Sequence, residues 1–307
     1  MKKTEDCFLK VKNDYLNFLS KEKIFDKSKT DKVKSLKKFY IPMSFWIENK
    51  YKKKKKTLFL GFSGGQGSGK TTIARILKII LKKFFKRKIH ISSIDDFYKT
   101  LEDRNKMAHT IHPLFKTRGV PGTHDINLIK KFFYFIKKKK FKEFKLPKFD
   151  KSIDDRLKKK NWFNIKERPE VVILEGWCVG AKPQSSSLLK KPINILEKYE
   201  DKDLIWRKHV NEKLKKEYKK FFAMIDYYMF MKIPDFNMVF KWRLLQERKL
   251  KKRSHTKKKI MSYNKIKRFI MFYQRVTLQM FKDMPKIAFA VLTLNRKHQI
   301  NKIRFKN

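Results

Sequence analysis

Only two cysteines, Cys7 and Cys178, stand in 307 residues, and they have no metal-ligand spacing. This excludes a disulfide framework and a cysteine-bound metal, and it suits a reducing compartment. No apolar run approaches the ~20 residues that span a bilayer, and no apolar signal core follows Met1-Lys2-Lys3-Thr4-Glu5-Asp6. The expectation is a soluble cytoplasmic protein with no membrane partner. Acidic residues are scarce, 29 against 81 Lys and Arg, for a formal net charge of +52. That excess favours anionic ligands by long-range steering and raises the question of nucleic acid. A nucleic-acid surface should be local, however, whereas here Lys is spread over most segments, so nucleic acid is not the expected partner. Internal repeats and long low-complexity linkers are also lacking. Hydrophobic residues reach 41%, too many for a disordered chain.

What is present is an alternation of strand and helix signals. Residues 1–50 read as helical, with Phe8, Val11, Tyr15, Leu16 and Leu19 close to helical spacing until Pro42 breaks the pattern. The run Lys52–Lys56 reads as a solvated link. Short apolar runs at 58–63, 89–94, 171–174 and 227–231 read as strands. Helical stretches are expected near 71–85, 125–140, 201–223, 236–252 and 262–282. Lys clusters at 137–140, 158–160 and 251–259 mark loops or solvated helix ends. The pattern predicts an α/β fold with a parallel sheet flanked by helices. Residues 1–56 form a helical extension with its basic link, and 57–307 form the main domain. The tail after 283 carries no motif.

Gly64-Gly65-Gln66-Gly67-Ser68-Gly69-Lys70-Thr71 matches the Walker A pattern G-x-x-x-x-G-K-[ST], with a strand before it and a helix after it. Its glycines let backbone N–H groups approach phosphate oxygens, and the helix that follows presents its positive end. Gly64 to Thr72 are the expected nucleotide contacts. Lys70 reaches the β- and γ-phosphates of ATP, and the Thr71 hydroxyl holds Mg²⁺.

Ligands of open α/β sheets collect at the carboxyl ends of strands. Asp95 and Asp96 follow the strand ending at Ile94, and Glu175 follows Val171–Leu174. A kinase acting on an alcohol needs a carboxylate to orient the hydroxyl and take its proton, and Asp95 is the candidate. Asp96 suits a cap or the metal side. Glu175 stands where a second Mg²⁺-directed acid belongs.

Several motifs together resemble the D-glycerate 3-kinase family. They are Ser93-Ile94-Asp95-Asp96-Phe97-Tyr98-Lys99-Thr100, Arg118-Gly119 with Gly122-Thr123-His124-Asp125, Leu146-Pro147-Lys148-Phe149-Asp150-Lys151-Ser152, Leu174-Glu175-Gly176-Trp177-Cys178-Val179-Gly180-Ala181-Lys182-Pro183, and Trp242-Arg243-Leu244-Leu245-Gln246-Glu247. Their order and spacing agree from about residue 57 to 282. The resemblance implies a P-loop fold akin to uridine kinase, phosphoribulokinase and pantothenate kinase, with a helical lid. It implies Asp95 as base, Glu175 as the strand-end acid, and Arg243, with Arg248, as lid arginines over the ATP phosphates. On the substrate side it implies Asp96, Tyr98, Arg118, His124, Asp125, Asp150, Lys151 and Arg156, with Arg118, His124 and Lys151 suited to a carboxylate. Trp177 and Trp242 read as packing residues. The sequence departs from the family after Ser152, where a longer Gly- and Arg-containing stretch is shortened to Ile153-Asp154-Asp155-Arg156.

The expected activity is ATP- and Mg²⁺-dependent phosphorylation of D-glycerate at its 3-hydroxyl. The alternatives are a uridine-like or pantothenate-type kinase of the same superfamily and a nucleic-acid-binding P-loop ATPase.

Overall fold

A computed structural model describes residues 2–22, 28–253 and 261–306. Its central sheet contains β1 (Leu58–Gly64), β2 (Ile89–Ser93), β3 (Val171–Gly176), β4 (Tyr227–Lys232), β5 (Ala290–Leu294) and β6 (Ile300–Phe305). The spatial order is β6-β5-β4-β1-β3-β2. The five strands β1 to β5 pair in parallel, and β6 returns antiparallel on β5. The four strands expected from the sequence are all present. The tail after 283 adds the other two, so the sheet is mixed at that edge rather than wholly parallel.

Alternation along the strands divides the interior into two layers. Leu58, Leu60 and Phe62 of β1 face one side, with Val171 and Ile173 of β3 and Met229 and Met231 of β4. Phe59, Val172, Leu174 and Phe230 face the other. The second layer is covered by α6 (Ile126–Lys137), by α7 (Ile205–Lys213) with the helical turns that continue it to Phe222, and by α9 (Tyr263–Ile287). The first is covered by α4 (Lys70–Lys83), whose Ile73, Ile76, Leu77, Ile80 and Leu81 lie on one face at helical spacing.

The N-terminal helices α1 (Lys2–Lys21), α2 (Lys29–Ser35) and α3 (Ile41–Lys54) share that first core. Val11 and Tyr15 of α1 are buried with Ile76 and Leu77 of α4. Pro42 does not end the helical run as expected. It sits in the first turn of α3, where its missing N–H would have had no helical partner. Nor is Lys52–Lys56 simply a solvated link. Lys52 to Lys54 form the last turn of α3, Lys55 caps it at a left-handed φ of 56°, and Lys54 pairs with Asp226.

A further helix, α5 (Leu101–Thr110), follows the first acidic turn. Its signal is a capping box, with Thr100 accepting from the Asp103 N–H and Asp103 reaching back to the Thr100 N–H. Beyond Glu143 the chain makes two short antiparallel hairpin pairings, 144–146 with 163–165 and 149–150 with 155–156. Helix α8 (Asn237–Arg253) then lies over the phosphate loop. Residues 254–259 of the Lys cluster at 251–259 fall outside the described residues.

Candidate active site

β1 delivers the phosphate loop and α4 closes it, so the Walker segment stands at the carboxyl edge of the sheet's centre. Gly67 has φ +72°, and a Cβ there would stand 3.2 Å from Trp242 Cβ and 3.7 Å from the Arg243 backbone nitrogen. Only glycine gives both the left-handed turn and the close seat for α8. Lys70 is buried and donates to the carbonyls of Gly64 (2.9 Å) and Gly65 (3.1 Å), curling over the loop. Burial lowers its pKa, and the charges of Glu175 and Asp95 oppose that shift.

Register places the two strand-end acids together. Glu175 of β3 pairs with Phe62 of β1 and with Ser93 of β2, so it lies between the strand entering the phosphate loop and the strand leading to Asp95. It accepts the Thr71 hydroxyl at 2.8 Å. Burial raises its pKa against the pull of Lys70.

Asp95 stands in the tight turn 94–97 that follows β2, where the Ser93 side chain accepts from its N–H. Its Oδ1 accepts from the Tyr98 hydroxyl at 2.8 Å, and its Oδ2 pairs with Lys151 at 2.6 Å. Burial alone would raise its pKa; the Lys151 charge and hydrogen bond, with the Tyr98 bond, outweigh that and hold it below the ordinary carboxylate value. Asp96 behaves oppositely. Burial pushes it up to about 6, and backbone groups of Phe149 and Ser93 bond to it, which ties the 149–156 hairpin to the acidic turn.

The other expected substrate-side residues divide. Tyr98 and Lys151 meet at Asp95. Arg118 pairs with Asp154, and its guanidinium lies 5.4 Å from the centre of the Phe149 ring, which is itself edge-on to Tyr98. Arg156 donates to the Tyr98 carbonyl at 2.7 Å and reaches Asp125 at 3.4 Å. Asp125 caps α6, and Asp150 accepts from the N–H and hydroxyl of Ser152; both hold local structure.

His124 is enclosed behind this group. It is 1% exposed, stacked at 4.6 Å behind the Tyr98 ring, and burial pushes its pKa down to about 4. A neutral imidazole there offers an N–H rather than a charge, and its Nε2 is buried with no hydrogen-bond partner among the described residues. Its Nδ1 lies 2.6 Å from the Tyr218 hydroxyl, which also accepts the Gly122 N–H, so the two fix the turn beneath Tyr98.

On the lid, Arg243 pairs with Glu247 and its guanidinium lies 5.5 Å from the Phe269 ring centre, while Arg248 is exposed. Trp177 and Trp242 are buried, as expected of packing residues. Trp177 Nε1 also donates to the Gly119 carbonyl at 3.1 Å, and the Tyr273 hydroxyl to the Arg118 carbonyl at 3.0 Å. Gly119 has φ +133°, and a Cβ there would collide with that hydroxyl. Tyr273, Arg104 and Asp154 were not singled out from the sequence, because each acts through a partner at least 36 residues away or through such a turn.

An anhydride-binding loop, a lysine and two acids at adjoining strand ends is an arrangement for phosphoryl transfer. No family profile matches the chain. It is 31% identical over 264 residues to the uncharacterised kinase mug58 of Schizosaccharomyces pombe, an alignment covering 83% of this chain and 89% of that one. It is 30% identical over 226 residues to the chloroplastic D-glycerate 3-kinase of Arabidopsis thaliana, covering 68% of this chain and 47% of that protein. The chain belongs to the D-glycerate 3-kinase family. As a member of that family it is an ATP-dependent kinase with a P-loop fold. The solved D-glycerate 3-kinase from Cryptococcus neoformans var. grubii matches the fold with a TM-score of 0.72 at 23% identity, covering 87% of this chain and 99% of that one. No helix among the described residues is long and apolar enough to cross a membrane.

Proposed function

We propose that the chain transfers the γ-phosphoryl group of ATP to the 3-hydroxyl of D-glycerate. The observation that carries this reading is the state of Asp95, a carboxylate kept ionised by Lys151 and Tyr98 beside the phosphate loop. An ionised carboxylate there can accept the hydroxyl proton as the oxygen attacks. Lys70 leaves the Gly64 and Gly65 carbonyls to meet the phosphates and neutralise charge on the transferring group. Arg243, whose backbone lies beside Gly67, comes down with α8 and excludes water. Arg118 and Lys151 supply the cations that a hydroxy acid's carboxylate requires.

The donors suit Mg²⁺. The Thr71 hydroxyl and the Glu175 carboxylate are hard oxygen groups 2.8 Å apart. Mg²⁺ here would be held by one or two protein oxygens together with ATP phosphates and water. When bound, Mg²⁺ supplies charge neutralisation on the phosphates. The two buried free thiols, Cys7 and Cys178, suit a cytoplasmic setting.

An ADP-release assay over D-glycerate, uridine, pantothenate and ribulose 5-phosphate tests the substrate. Turnover with D-glycerate alone is expected, and turnover with another acceptor but none with glycerate overturns the reading. Lys70→Ala is expected to abolish turnover and weaken ATP binding by titration; unchanged binding would contradict the role given to the loop.

A further inference from the structure

Asp154 lies in the shortened stretch after Ser152 and adopts a left-handed φ of 57°, a strained conformation for a residue other than glycine. Its two carboxylate oxygens have different partners. Oδ2 meets Arg104 Nη1 at 3.1 Å, and Oδ1 meets Arg118 Nη1. Arg104 is fully buried and also grips the Asp154 carbonyl and the Lys116 carbonyl, the latter at 2.8 Å. Arg118 differs, with a quarter of its side chain exposed, and the Asp154 side chain is 39% exposed. The Arg118–Asp154 contact is thus open to a small ligand, while the Arg104 contact is the anchor.

The pair sits against the acceptor side of the site. Both guanidinium groups lie within 6 Å of the Phe149 ring centre, and that ring is edge-on to Tyr98, whose hydroxyl bonds the candidate base Asp95. The Arg118 carbonyl is held by Tyr273, which feels the charges of Asp95 and Arg118 alike. A carboxylate on Arg118 would therefore belong to a molecule whose hydroxyl end points toward Asp95.

We propose that Asp154 is a built-in competitor for the acceptor's carboxylate: it occupies Arg118 in the empty enzyme and yields that arginine to the hydroxy acid. The exchange is inexpensive, because Asp154 keeps Arg104 through Oδ2 when Oδ1 lets go. No buried charge is stranded, and the incoming carboxylate replaces the outgoing one at the same guanidinium. An acceptor without a carboxylate has nothing to offer Arg118 and leaves the plug in place, so the exchange is made by acids alone and its cost falls on their binding.

This inference rests on the hydroxy-acid reading above, and the experiment separates the two. Wild-type enzyme is first assayed for ADP release with D-glycerate; no turnover removes the substrate reading and the inference with it. Given turnover, Asp154→Asn is compared with wild type. The amide still accepts from Arg104 but no longer pairs as an anion with Arg118. The expected result is a KM for D-glycerate lowered about fivefold, with the KM for ATP unchanged and no gain for glycerol. A raised KM for glycerate would mean that Asp154 merely positions Arg118, and would overturn the proposal. So would an unchanged KM. Should Asp154→Asn fail to fold, Arg118→Gln, which leaves Asp154 anchored by Arg104, carries the test. A tenfold or larger rise in the glycerate KM, with ATP affinity by titration intact, is expected, and an unmoved glycerate KM rejects the subsite.

Discussion

At the scale of single residues, the chemistry turns on how one carboxylate is kept charged. Asp95 is enclosed, yet Lys151 and Tyr98 hold its pKa down. Asp95→Asn removes the proton acceptor and should lower kcat by about 10²- to 10⁴-fold while leaving the KM for ATP nearly unchanged, as steady-state kinetics would show. The supporting groups can be separated from the base by pH. Activity is lost as pH falls through the pKa of Asp95, so deleting a group that stabilises its anion moves the acid limb to higher pH. Lys151→Met should move it farther than Tyr98→Phe, because Lys151 contributes both charge and a hydrogen bond. A pH profile of kcat/KM with no shift in either variant would refute this account. Asp95 and Lys70 were legible in the sequence because each sits in a short motif whose chemistry is local. Arg104 and Asp154 were not, because 50 residues separate the partners and only the folded hairpin joins them.

At the scale of elements, the phosphate loop is only as firm as α4, and α4 is clamped between the sheet and α1. Tyr15 of α1 is 2% exposed and donates its hydroxyl to the Lys32 carbonyl at 3.1 Å, joining α1 to α2. Tyr15→Ala leaves a cavity against this core and should cost about 3–5 kcal/mol in denaturant unfolding. The N-terminal helices were readable from their periodicity, but their docking was not, since periodicity says which face is apolar and not what covers it. β5 carries a local signal: Ala290-Val291-Leu292-Thr293-Leu294 is an unbroken, largely apolar run. β6 was harder to see, because Lys302 and Arg304 interrupt Ile300, Ile303 and Phe305 as expected of an edge strand.

At the scale of the whole molecule, acid sensitivity follows from histidines enclosed in their neutral form. Burial pushes both His90 and His124 down to about 4, whereas an unfolded histidine titrates at 6.5. Between those values the unfolded chain binds two protons that the native chain refuses. Asp96, pushed up to about 6, binds one in the native state that the unfolded state lacks. The balance is one proton in favour of unfolding, two less one, so stability should fall by about 1.4 kcal/mol per pH unit from pH 6 to 4. His209, lowered by burial, adds to the histidine side, and Glu175, raised by burial, adds to the Asp96 side. His90→Phe, which keeps an aromatic ring against Phe132, should flatten that slope in thermal unfolding followed across pH. A slope as steep as wild type would assign the sensitivity elsewhere.

One feature of the packing bears on the order in which the molecule can assemble. Val11 and Tyr15, near the start of the chain, lie in the same buried layer as Leu292 and Ile300, near its end. On the ribosome the first helices emerge long before the edge strands that complete their layer. Their apolar faces must therefore wait, partly covered, until residues 290–305 have been made. Shortening the polypeptide by its last hairpin would leave the phosphate loop's sequence intact, yet it would strip apolar cover from the layer that supports the loop.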